Sequence, residues 1–142
     1  MDQTNKTVIT VRNLINAPVK KVWEYWTKPE HITQWNNASD DWHSPRSEND
    51  LRVGGRFTTR MEAIDGSMGF DFGGVYDVVN EYDLIEYTMD DGRKVSVRFT
   101  SNGDHTEVVE RFDAEETNPV DMQRDGWQAI LDNFKKYAES NG

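Results

Sequence analysis

Hydrophobic and polar positions change period three times along the chain. From Thr7 to Ile15 (TVITVRNLI) β-branched residues roughly alternate with polar ones, which predicts a strand with Ile9, Val11 and Ile15 on one face. The spacing then becomes helical: Val19, Val22, Trp23 and Trp26 fall at i, i+3, i+4 and i+7, with Pro18 suited to the first turn and Asn16 or Ala17 to the cap. A second start signal follows at once, because Thr27 to Glu30 has capping-box spacing with Pro29 near the first helical position, and Ile32 and Trp35 then share a face. Two short helices meeting at a sharp corner are predicted.

Residues 36–50 are polar and aperiodic around Pro45, and read as a loop or a weak edge strand. Alternation then returns, punctuated by Asp65-Gly66, Asp91-Gly92 and Asn102-Gly103, the dipeptides of tight hairpin turns. Strands are predicted over residues 56–64, 68–80, 84–89, 93–101 and 105–113, an antiparallel meander. Phe57 and Met61 share a face of the first of these; Phe70, Phe72 and Tyr76 lie in the second, and Val95, Val97 and Phe99 in the fourth. Past Asn118-Pro119 the period is again helical, with Trp127, Ile130, Leu131, Phe134 and Tyr137 in one wide apolar stripe. Gly126 interrupts this long helix at a cost of about 1 kcal/mol against alanine, which points to a close approach to the sheet or a kink. A mostly antiparallel sheet with one long helix across its face is an α+β arrangement. Strong twist bends such a sheet into a half-barrel, and space that a single helix leaves unfilled becomes a pocket.

Composition narrows this picture. The chain has 142 residues with no linker-like stretch, so one domain and one core are expected. Hydrophobic residues make up only 35%, but 11% are aromatic, and each large ring buries about 150–250 Å², so a few rings carry much of the core. The net charge of −10, spread along the chain, opposes nucleic acid and anionic membranes as partners. It fits a solubilising surface, or one that docks a basic protein. The absence of cysteine excludes disulfides, thiolate metal sites and a cysteine nucleophile. No apolar run of signal-peptide or membrane-span length opens the chain, and a cytoplasmic protein without membrane insertion is the expectation.

Little conventional chemistry is encoded. His31, His43 and His105 lie far apart with no metal-ligand spacing, so neither metal nor cofactor is expected, and His31 reads as a structural hydrogen-bonding residue. No serine sits in a nucleophile elbow. Val53-Gly54-Gly55-Arg56 lacks the Lys-Ser/Thr ending of a phosphate loop and leads into a strand, which makes it a turn; Gly73-Gly74 inside a strand marks a bulge or bend. Glu110 shares its alternation with Val108 and Phe112, so it either faces inward, where burial raises its pKa, or is solvated with Val109 inward.

Taken in order, Ala17-Pro18, Val22-Trp23, Trp26-Thr27, Pro29 to Ile32, Gln34-Trp35, Val53 to Phe57, Gly73 to Tyr76 and Gly126-Trp127 resemble the SRPBCC, or START-like helix-grip, superfamily, and within it proteins similar to the activator of heat-shock-protein ATPase. The resemblance covers nearly the whole chain. It implies a single START-like domain over 1–142, whose sheet wraps the C-terminal helix around a cavity for lipids, sterols, polyketides or other apolar molecules. Superfamily members include carriers, receptors, cyclases and co-chaperones, so the fold alone fixes no activity.

The leading expectation is a binding module for a small apolar or aromatic molecule held between helix and sheet. Its lining would be Phe57, Met61, Phe72, Tyr76, Tyr87, Phe99, Trp127, Ile130, Leu131 and Phe134, with Trp35 and Trp42 near the entrance. A co-chaperone domain with a chaperone as partner is the alternative the family's name carries. A cavity enzyme using Glu110 or Tyr76 is a third.

Overall fold

The computed structural model describes residues 7–37 and 40–141. Residues 1–6 of the opening segment read above lie outside them. Ten elements follow in order: β1 (Val8–Ile15), α1 (Val19–Thr27), α2 (Pro29–Trp35), β2 (Trp42–Asn49), β3 (Arg56–Ala63), β4 (Gly69–Asn80), β5 (Leu84–Met89), β6 (Lys94–Asn102), β7 (His105–Asp113) and α3 (Val120–Asn141).

The strands form one antiparallel sheet in the order β1-β7-β6-β5-β4-β3-β2. From β2 to β7 each strand pairs with its successor, while β1 crosses to the far edge beside β7. The α1–α2 pair carries the chain from one edge to the other. The curved sheet is a half-barrel, and α3 lies across its concave side, packing against β1 and touching α1 and α2.

Curvature has local causes. Gly54, Gly66, Gly92 and Gly103 all have positive φ and serve the turns around the strands. At Gly74 an added Cβ would stand 2.4 Å from the Thr88 carbonyl oxygen, so neighbouring backbone passes where a side chain would be. The β4–β5 register shifts just beyond, between Tyr76 and Val78, as a bulge that bends the sheet.

Of the two readings open for the polar stretch 36–50, the structure adopts the edge strand: β2 pairs with β3, with a slip between His43 and Arg46 around Pro45. Three sequence expectations change. The capping box does not form: Lys28 precedes α2 with no side-chain cap, and the Thr27 hydroxyl donates back to the Trp23 carbonyl at 2.8 Å. Likewise Pro18, not Asn16 or Ala17, occupies the α1 cap position. At Gly126 there is no close approach, since an added Cβ would meet nothing within 4 Å.

The core joins the inward faces of β1, β6 and β7 to α1 and α3, with Val97, Val108, Phe112, Leu131 and Phe134 essentially inaccessible. Tryptophans tie the helices to it. Trp23 meets Phe99 edge-on at 5.3 Å, and Trp26 lies against Trp35, Phe99 and Phe134. Trp35 is buried, and its indole N–H donates to the Tyr25 carbonyl at 2.9 Å, which satisfies the polar atom that a buried indole carries.

Candidate functional site: a cavity between helix and sheet

Between α3 and the concave face lies a cavity of about 320 Å³. Its floor is the alternating inward side of β3, β4 and β5: Phe57, Thr59 and Met61, then Phe70, Phe72 and Tyr76, then Ile85, Tyr87 and Met89. The roof is Trp127 and Ile130 with Gln123, and α1 and α2 contribute Trp26, Ile32, Trp35 and Asn36. Phe70 is half-exposed, so the cavity reaches the surface at the β3–β4 hairpin.

The rings are held by one another. Phe57 contacts Phe72, Tyr76 and Tyr87, and Phe72 reaches Trp127. Trp127 is stacked on Phe112 with centroids 3.8 Å apart and planes 12° from parallel, so β7 fixes the indole from behind. Such mutual packing restricts rotamers and preforms a wall.

Eight of the twelve residues expected at the site therefore line this space: Trp35, Phe57, Met61, Phe72, Tyr76, Tyr87, Trp127 and Ile130. Phe99, Leu131 and Phe134 do not. They belong to the buried core formed with α1 and β7, because the α3 stripe is wide enough to face both cavity and core. Trp42 stands outside as well, on β2, with its ring 6.0 Å from Phe70. Lining residues that the sequence reading passed over are chiefly polar or flanking: Thr59, Arg93, Glu115 and Gln123, with Trp26, Ile32 and Met89.

Polar groups inside are few. Tyr76 donates its hydroxyl proton to the Asn49 side-chain oxygen, and burial holds its pKa above the usual phenol range. Tyr87 is raised too, by burial first and then by the nearby Glu110 carboxyl. Arg93 is anchored to Asp91 at 2.8 Å. Gln123 donates to the backbone carbonyls of Glu115 and Asn118 and accepts from the Glu115 N–H, pinning the start of α3.

Glu110 differs from all of these. Of the two orientations open to it, the structure adopts the inward one: it is 5% exposed and lines the cavity. Its neighbours across the sheet are Val11 and Val97, and along the strand Val108 and Phe112. Among the described residues it makes no hydrogen bond or ion pair, and burial pushes its pKa up to about 8. Removal from water disfavours the carboxylate, and nothing beside it restores the balance.

The histidines stand apart from the cavity. His31 Nδ1 is 2.6 Å from the Tyr137 hydroxyl, a contact joining α2 to α3, and His43 lies near Glu62 on the β2–β3 edge. Among the described residues no group of three or more histidines or carboxylates could hold a metal ion. No described helix is long and apolar enough to cross a membrane.

A curved antiparallel sheet gripping a C-terminal helix, with two short helices after the first strand, defines the START-like helix-grip class. Within it the chain belongs to the Activator of Hsp90 ATPase homolog 1-like protein family, whose model matches residues 16–139. The solution structure of the AHSA1-like protein from Aeromonas hydrophila is 46% identical and superposes with a TM-score of 0.90, over 96% of this chain and 94% of that one. A Cytophaga hutchinsonii protein is 59% identical, with a TM-score of 0.81 over 94% and 92% of the two chains. A Chromobacterium violaceum protein at 20% identity and a TM-score of 0.82, over 92% of this chain and 96% of that one, shares the fold. Among curated proteins, CBL-interacting serine/threonine-protein kinase 14 of Arabidopsis thaliana is 26% identical over 113 residues, which are 80% of this chain but 22% of that protein. The chain thus spans about a fifth of that relative's length.

Proposed function

We propose that this protein binds one small, largely apolar or aromatic molecule in the cavity between α3 and the sheet. The observation that carries the reading is the preformed space of about 320 Å³, walled by interlocked rings and reaching the surface beside Phe70. Ligand sites of about 300–1,000 Å³ with apolar walls and a few placed polar groups are the common pattern, and this one is at the small end. Trp35, Phe57, Met61, Phe72, Tyr76, Tyr87, Trp127 and Ile130 would make the apolar contact, while the Tyr87 hydroxyl and Glu110 would orient the ligand.

The test is native mass spectrometry of the protein purified from its own host, followed by NMR shift mapping with a library of fatty acids, sterols and planar aromatics. A co-purified small mass, or shifts confined to the cavity walls and lost in Ile130→Trp, is the expected result. A bound protein with no small molecule, or shifts only on outer helix faces, would favour instead the co-chaperone role that the family description carries.

A further inference from the structure

We infer that the cavity is selective for an organic cation, an apolar or aromatic body carrying an ammonium group, with the Glu110 carboxylate as its counter-ion. The inference rests on the ligand-binding reading above and narrows the ligand class.

Glu110 is an acid without a partner in a place where a partner is costly to lack. It lies midway along β7 on the concave face, with Val11 and Val97 on either side and Val108 and Phe112 above and below, so its immediate strand neighbours are apolar, and the nearby Tyr87 hydroxyl brings no positive charge to neutralise it. It faces open space, because it lines the cavity while being 95% buried. Whatever occupies that space is the carboxyl's partner. A buried charge is stabilised mainly by an opposite charge with good geometry.

The other titratable or charged groups on the cavity do not do this for Glu110. They are Tyr76 and Tyr87 from the sheet, Arg93 from the β5–β6 turn and Glu115 after β7. Arg93 is committed to Asp91, and Tyr76 to Asn49. Loss of water is what raises the carboxyl's pKa, with no cation beside it to hold the charged form. A hydrogen-bond acceptor such as a ketone would satisfy the protonated acid, but two further features favour a cation. The walls are aromatic, from Phe57 and Phe72 to Tyr87 and Trp127, and ring faces attract ammonium groups, the more strongly when water is excluded. The molecule carries 26 acidic against 16 basic residues, so its field concentrates cations and repels anions.

Three probes sharing one ring and differing in charge test this: 2-(2-naphthyl)ethylamine, 2-(2-naphthyl)ethanol and 2-naphthylacetate, titrated calorimetrically. The amine is expected to bind at least about tenfold more tightly than the alcohol, and the acetate more weakly than either. Below about pH 8 amine binding should release close to one proton, read as a dependence on buffer ionisation enthalpy, and its affinity should rise from pH 6 to pH 8. Glu110→Gln should bring the amine within about twofold of the alcohol, abolish the proton release and leave alcohol affinity nearly unchanged. Equal binding of amine and alcohol, tightest binding of the acetate, or an amine preference that survives Glu110→Gln would overturn the cation assignment while leaving the cavity reading intact. If none of the three bound, both would fall.

Discussion

Glu110 sets a pH dependence that is measurable without any ligand. Its carboxyl holds a proton more tightly in the folded chain, at about 8, than in the unfolded chain, at an ordinary 4.5. Its contribution is therefore full below about pH 4.5 and is lost as the pH rises to about 8, by on the order of 3–5 kcal/mol. Glu110→Gln keeps the shape of the neutral acid and removes the titration. Denaturant titrations should find the variant close to wild type at pH 5 and more stable by a few kcal/mol at pH 9. An unchanged difference between the two pH values would mean that the carboxyl reaches water. Alternation along β7 already placed this residue with Val108 and Phe112. What sequence could not settle was whether that face or the one with Val109 turned inward, because Val and Glu occupy both; the pairing with Val11 and Val97 decided it. Arg93, Glu115 and Gln123 were illegible as lining residues for a related reason: polar residues near turns normally face solvent, and only the closure of α3 over the sheet makes them walls.

Among the elements, the hairpins were the most legible, since Asp-Gly and Asn-Gly mark positions where φ is positive and the chain must reverse. Strand β2 was the least legible, as an edge strand with a register slip and a proline shows no clean alternation. The α3 stripe gave the helix and its buried side but could not divide that side between cavity and core, because helical spacing fixes which residues share a face and not what stands opposite. Two glycines should respond in opposite ways for that same reason of what stands opposite. Gly126→Ala adds a methyl into open space within a helix and should stabilise the protein by about 0.5–1 kcal/mol. Gly74→Ala drives a Cβ toward the Thr88 carbonyl and should cost about 2 kcal/mol or more, with the β4–β5 amides shifting in NMR spectra. Thermal melts of the two variants check both signs.

For the molecule as a whole, the charge of −10 works against compactness. Exposed pairs such as Arg56–Asp90 and Arg98–Asp83 are screened by water and hold the fold together only weakly, so salt should relieve more repulsion than it removes attraction. The melting temperature should rise by a few degrees between about 0.02 and 0.3 M sodium chloride; a fall would show that the ion pairs dominate. The place of β1 carries a different kind of consequence. This strand, which precedes the other described strands in sequence, pairs with β7, and it is itself fastened to α3 by Asn13 to Asp132 and by Lys135 to the Leu14 carbonyl. The meander from β2 to β7 needs only neighbours in sequence, whereas these contacts join residues more than a hundred positions apart, the slow kind of closure. On the ribosome, then, the concave face with Glu110 at its middle forms before its roof exists, and it stays open to water until α3 emerges. The surface most open to aggregation during synthesis is the same one that afterwards lines the cavity.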